Sequence, residues 1–239
     1  MKQGVVVVVV ACFVAAGCVS LPPAVDGPHG VRAVRSGHAL FYVVPVDDGG
    51  VVLVDTGFDS SGADVVAAAA GRPIRAVLIT HSHVDHWSGV HVVGDAPVFA
   101  GPRDVEAMRG LRHHRGCLNY AADFNFPRPQ LPADLRAVDD GVALELGGET
   151  FTPVVLPGHT AGSVVWLWRD VAFTGDAVMI DGDGLGLAPA VVSDDVRQAR
   201  RSVSKLWGVD VEVILDGHTG RGDHAQARLQ RFLREHDEP

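Results

Sequence analysis

Five short apolar runs in this chain end on a histidine or an aspartate, and that recurrence limits the folds open to it. Residues 51–54 lead into Asp55-Thr56-Gly57, and residues 76–80 deliver the chain into His81-Ser82-His83-Val84-Asp85-His86. Val154-Val155-Leu156 runs into Pro157-Gly158-His159, Val171-Ala172-Phe173 into Thr174-Gly175-Asp176, and Val213-Ile214-Leu215 into Asp216-Gly217-His218. Apolar runs of this length, bounded by turn residues, read as buried strands. In the last three a glycine precedes the polar residue, which permits a sharp turn and close backbone approach. Polar groups released at the ends of several strands are what a site on a sheet edge requires.

The densest of these endings is His81 to His86. Three imidazoles and a carboxylate within six residues are too many costly polar groups for a packing role. Alternate residues His81 and His83 can grip one cation, while the adjacent pair Asp85 and His86 can face a second. Imidazole and carboxylate donors without thiolate suit zinc. Ser82 reads as a small turn residue.

Elsewhere the pattern is that of a layered α/β domain. Segments 39–46 and 51–55 form a hairpin around Asp47-Asp48-Gly49-Gly50. A helix over 63–70 is closed by Gly71. A strand at 97–100 precedes a helix over 104–111. Further strands are expected at 136–138, 143–146, 150–156, 164–168, 171–174 and 211–215. Ser193 reads as the cap of a helix running to Leu206, and a closing helix spans 224–234. The irregular stretch 112–134 has the character of a lid or binding loop. His113 and His114 within it read as surface residues, with lining of the substrate entrance as the alternative, and Trp166 and Trp168 read as packing. His29, His38, His91, His224 and His236 lack a ligand-like context.

Composition bounds the partners. The 239 residues, 47% apolar and 21% charged, fit one globular domain with its own core. A formal net charge of −9 argues against nucleic acid as a partner, since phosphate-backbone binding needs clustered Lys and Arg. A small molecule is the expected substrate, and no feature specifies an oligomeric state. Met1-Lys2-Gln3 followed by an uncharged, valine-rich run has the form of a signal peptide. It ends in Ala15-Ala16-Gly17-Cys18, which resembles a bacterial lipobox with alanine in place of the usual leucine. The expected organisation is a signal peptide over 1–18, a Pro- and Gly-rich tether over 19–30 and a folded domain over 31–239. Localisation is then extracytoplasmic, in the periplasm or on the cell surface, with membrane contact only through lipid on Cys18. Cys117 remains alone after processing, so no intramolecular disulfide forms, and it reads as a quiet loop or core thiol.

Taken in order, VDTG, HSHVDH, PGHTAGS, TGDA and DGHTG resemble the metallo-β-lactamase fold superfamily, over about residues 39–218. The resemblance implies an α/β (α+β) fold, a four-layer αββα sandwich with metals at one edge of two facing sheets. It assigns His81, His83 and His159 to a first metal and Asp85, His86 and His218 to a second, with Asp176 bridging. Asp55 resembles the aspartate that braces the histidine loop without touching metal. Two divalent ions are implied, zinc first, with iron or manganese open because of the bridging carboxylate. Asp85 and Asp176 are the candidate catalytic residues of a metallo-hydrolase.

Departures within the family narrow the chemistry. His83 stands where the flavodiiron oxidoreductases carry glutamate, which favours hydrolysis. Asp176 is unlike the true β-lactamases and resembles the glyoxalase-II-like and lactonase-like branches, which cleave thioesters, esters and lactones. The added C-terminal helical region of glyoxalase II is not present after His218. The expected function is therefore hydrolysis of a small ester, thioester or lactone. The alternatives are β-lactam hydrolysis, a single-iron sulfur dioxygenase and a non-catalytic metal-binding protein.

Overall fold

The computed structural model describes residues 23–120 and 127–236. Side-chain alternation sets its architecture. In β2 (Ala39–Pro45), Leu40, Tyr42 and Val44 are buried in one core and Phe41 and Val43 in another. The same division occurs in β3 (Val51–Val54), where Val52 and Val54 part from Val51 and Leu53. Successive side chains of a strand point to opposite faces, so both faces of this sheet are covered.

Two six-stranded sheets carry these faces. The first runs in the order β1 (Arg32–Ser36), β2, β3, β4 (Ile74–Leu78), β5 (Val98–Ala100), β6 (Leu135–Ala137). The second runs β14 (Arg221–Asp223), β13 (Val213–Asp216), β10 (Val171–Gly175), β9 (Val164–Trp168), β8 (Glu149–Val155), β7 (Leu144–Leu146). Between them lies a core containing Leu40, Val54 and Leu78 from one sheet and Phe151, Trp166, Trp168 and Phe173 from the other. Against the outer face of the first sheet pack Val65 of α1 (Ala63–Ala69), Trp87 of α2 (Val84–Trp87) and Met108 of α3 (Pro102–Met108). The outer face of the second meets Leu229 and Phe232 of α5 (Ala225–His236), together with Val203 and Leu206 after α4 (Val196–Ser202). Helix, sheet, sheet, helix: the fold is the αββα sandwich.

Strand direction explains why the five polar endings meet. β3 and β4 are parallel, so their C-terminal ends reach the same edge. β10 pairs parallel with β13, and β8 reaches the same direction through two antiparallel steps across β9. Asp55, His81, His159, Asp176 and His218 thus leave their strands at one rim.

Several local expectations shift. The helix expected from Ser193 starts later, because the Asp195 carboxylate accepts the Gln198 amide at 2.9 Å and caps α4. Ser193 is extended, and its hydroxyl donates to the Pro189 carbonyl. Helix α3 begins at Pro102, where proline's fixed φ suits a first turn, and is over before Gly110, whose φ is 76°. The edge strands β1 and β14 and the small pair β11 (Met179–Asp181) and β12 (Gly184–Gly186) lack the apolar runs that mark buried strands.

The signal-like segment, Cys18 and the first tether residues lie outside the described residues, as do 121–126 with Phe124 and Phe126. The later part of the tether lies on the domain: Ala24 packs against the inter-sheet core, and Asp26 accepts the Ala33 amide at 2.9 Å. Among the described residues no helix is long and apolar enough to cross a membrane.

Candidate metal centre

At the rim, β4 ends and the chain passes through Ile79 and Thr80 into the histidine cluster, anchored by Trp166, whose indole donates to the Ile79 carbonyl at 3.2 Å. His83 precedes the single turn of α2, which puts Asp85 and His86 on the helix beside it. His81, His83, His86, His159 and Asp176 are all buried, and Asp85 and His218 are partly open.

His81, His83 and His159 form one compact group. Their rings lie edge to face at centroid separations of 4.5 or 4.6 Å, and His83 Nδ1 is 3.0 Å from His159 Nε2. Burial depresses all three: His81 and His83 fall well below the ordinary histidine range and His159 to about 4. At neutral pH these rings are therefore uncharged and offer lone pairs, the form a metal ligand must take.

The second group is richer in carboxylate. Asp85 Oδ2 lies 3.6 Å from His86 Nε2 and 3.7 Å from His218 Nε2. Burial opposes charge on His86, yet the carboxylates of Asp85, Asp55 and Asp176 hold it up at about 9. His218 is likewise held at about 10 against its burial, mainly by Asp176. Asp176 lies between the groups: its Oδ2 is 3.6 Å from His159 Nε2 and 3.1 Å from His218 Nε2, and its Oδ1 is 3.7 Å from His86 Nε2.

The donor set fits divalent cations on its own evidence. His81 Nε2, His83 Nε2, His86 Nε2 and Asp176 Oδ1 are buried and have no hydrogen-bond partner. Unpaired buried polar atoms are costly, and here four of them belong to one cluster of nitrogen and oxygen donors. Ligand atoms lie within 4.8 Å of one another in His81, His83 and His159, and again in His81, His86 and Asp176.

A framework of backbone and carboxylate holds the donors. Asp55, in a left-handed conformation with φ 63°, accepts the Thr80 amide and hydroxyl, each at 2.7 Å, and His86 Nδ1 at 2.8 Å. That last bond leaves Nε2 of His86 to the centre. Gly217 has no room for a side chain, since a Cβ there would lie 2.4 Å from Asp176 Oδ1 and 2.7 Å from His86 Cε1.

Three residues enter that sequence reasoning did not place here. Asp104 is buried and accepts the Ser82 amide at 2.8 Å, the Gly162 amide at 2.9 Å and the Thr160 hydroxyl at 2.7 Å, tying the two histidine loops together. Its position at the start of α3 carried no sequence signal. His114, expected at the surface, is buried: its Nε2 is hydrogen-bonded to Ser82 Oγ at 2.9 Å and its ring packs on His83. Ser82 is accordingly more than a turn residue. His38, expected to lie outside any site, puts Nε2 2.9 Å from Asp85 Oδ2. His113 packs on Tyr120, with ring centroids 6.2 Å apart. Cys117 is an exposed free thiol.

A small open cleft of about 60 Å³ lies beside the centre, lined among others by Ser82, His83, Asp85, Trp87, His114 and Arg128. Part of the irregular stretch 112–134 thus forms a wall of the space next to the histidine and aspartate cluster.

The chain is similar to known proteins in sequence and in fold. The family model of the metallo-beta-lactamase superfamily matches residues 34–218, which include every residue of the cluster. The probable metallo-hydrolase YflN of Bacillus subtilis (strain 168) is 26% identical over 226 residues, covering 82% of this chain and 84% of that protein. A hydroxyacylglutathione hydrolase of Acidiphilium cryptum (strain JF-5) is 33% identical over 172 residues, 71% of this chain, and the matched region spans 60% of that enzyme's length. Among solved structures, a B3 metallo-beta-lactamase with an active-site glutamic acid superposes with a TM-score of 0.67 at 20% identity, covering 92% of each chain. At that identity the likeness concerns the fold.

Proposed function

The chain belongs to the metallo-beta-lactamase superfamily and is a metallo-hydrolase, and from that premise we propose that it uses two divalent cations to cleave a small ester, thioester or lactone. His81, His83 and His159 would hold the first cation, and Asp85, His86 and His218 the second. The position of Asp176 between the two groups carries this reading, because a carboxylate within 3.6 Å of His159 and 3.1 Å of His218 can serve both half-sites. Imidazole and carboxylate donors suit zinc, with iron or manganese as the alternatives. Bound together, two such ions supply a water of lowered pKa and a clamp for the oxyanion of an attacked carbonyl.

The chain's own residues do the rest. Neutral His81, His83 and His159 present nitrogens without first losing a proton. Asp55 fixes the His86 ring, and Asp104 fixes the loop that bears His81 and His83. Asp85, whose carboxylate is the more open of the two, is placed to exchange a proton with the substrate side. The cleft beside the centre offers a substrate Trp87 for apolar contact and His114 and Arg128 for polar contact. Likeness to a hydroxyacylglutathione hydrolase supports an acyl substrate with a sulfur or oxygen leaving group. Export with lipid on Cys18 is part of the same proposal, supported by the N-terminal sequence alone.

Zinc-loaded protein should hydrolyse at least one member of a panel of aryl esters, lactoylglutathione and homoserine lactones faster than nitrocefin. Preference for nitrocefin would replace this reading with β-lactam hydrolysis. Oxygen consumption with a persulfide, in iron-loaded protein, would replace it with dioxygenation.

A further inference from the structure

We propose that His38 is an additional cation ligand, completing with Asp85 and His218 a three-donor set on the solvent side of the second half-site. The inference rests on the two-cation reading above. His38 Nε2 is 2.9 Å from Asp85 Oδ2, and Asp85 Oδ2 is 3.7 Å from His218 Nε2. All three donor atoms lie within 4.8 Å of one another. Donors around a tetrahedral cation with bonds of about 2.0–2.2 Å stand roughly 3.3–3.6 Å apart, so small rotations of these side chains would enclose an ion.

The ring is held for that role. His38 follows Gly37, whose φ of 63° turns the chain between β1 and β2. It lies parallel to His218 with centroids 5.5 Å apart and an interplanar angle of 4°, and leans on Phe58 at 5.2 Å. Its carbonyl accepts His218 Nδ1 at 3.0 Å, which leaves Nε2 of His218 to the ion. Arg35 donates to the carbonyls of both His38 and His218 at 3.2 Å, clamping the two loops together. Exposure distinguishes this set from the interior one: the His38 side chain is 45% exposed and that of His86 is fully buried. The ion at Asp85 therefore has an inner imidazole in His86 and an outer one in His38.

Stepwise addition of cobalt(II) to chelator-stripped full-length protein, followed by visible absorption and by competition with a chromophoric chelator, tests this. His38→Ala is expected to weaken the second equivalent by at least about tenfold, the scale on which a metal site responds to loss of one supporting contact. Its absorption should change while the first equivalent keeps its affinity. His38→Gln, which retains an N–H for Asp85 but no ring nitrogen, should lose as much. A His38→Gln variant with unchanged second-equivalent affinity and spectrum would reduce His38 to a hydrogen-bond donor and overturn the proposal. Equal weakening of both equivalents overturns it as well. If the unsubstituted protein takes up two equivalents and the variants match it, the His38 assignment alone fails. Uptake of only one equivalent removes the two-cation reading and this inference together.

Discussion

Asp55 and His86 form a fully enclosed pair, with Asp55 Oδ2 2.8 Å from His86 Nδ1 and the two side chains 3% and 0% exposed. The carboxylate takes three donors, and burial raises its pKa against the pull of His86 and Thr80. Asp55→Ala strands the Thr80 amide and the His86 ring. The expected result is a loss of about 3 kcal/mol in denaturant unfolding, the scale of leaving buried hydrogen-bonding groups unmade. Metal affinity should fall by about 10- to 100-fold in chelator competition. Unchanged affinity would show that His86 is not oriented by Asp55.

Asp176 tests the link between the half-sites. Asp176→Ala should lower metal content and turnover together, read by elemental analysis and rate on one preparation. Full metal stoichiometry with an undiminished rate would remove Asp176 from the centre.

Close approach at Gly217 gives a subtler probe. A methyl group in Gly217→Ala would lie 2.4 Å from Asp176 Oδ1, so the carboxylate or the loop must shift. Occupancy of the second cation should drop while the unfolding midpoint changes little. An occupancy equal to that of the parent protein would mean that the loop yields without disturbing Asp176.

Asp104 predicts a stability defect with a functional signature. Asp104→Ala leaves the Ser82 and Gly162 amides and the Thr160 hydroxyl without their common acceptor. Unfolding free energy should fall by about 3 kcal/mol, and first-cation affinity should fall with it because His81 and His159 flank the released groups. Parent-like values in both measurements would contradict the bracing role.

The lipobox-like ending at Cys18 predicts a mature chain that begins there and carries lipid. Intact-mass spectrometry of protein from membranes checks it; an N-terminus at Met1 would refute export by this route.

Much of this centre was legible in the sequence because its donors are restricted to a few residue types. Each follows a strand whose apolar run is itself legible. The αββα layering followed from a resemblance of motifs, and the split cores of β2 and β3 give its physical reason. What escaped notice depends on contacts between distant segments. His38 meets His218 across 180 positions, and Asp104 reaches Gly162 across 58. Neither residue stands in a local pattern that separates it from an ordinary loop histidine or a helix-start aspartate. The basic neighbours of His114 suggest solvent, whereas Ser82 and His83 draw its ring inward to the wall of the cleft.

Zinc titration of stripped protein with hydrolysis as the readout tests the two-cation centre most directly. Rate should rise with added zinc and level off near two equivalents per chain, with Asp176→Ala failing to reach the plateau. A plateau at one equivalent, or hydrolysis by the stripped protein at the full rate, would contradict it.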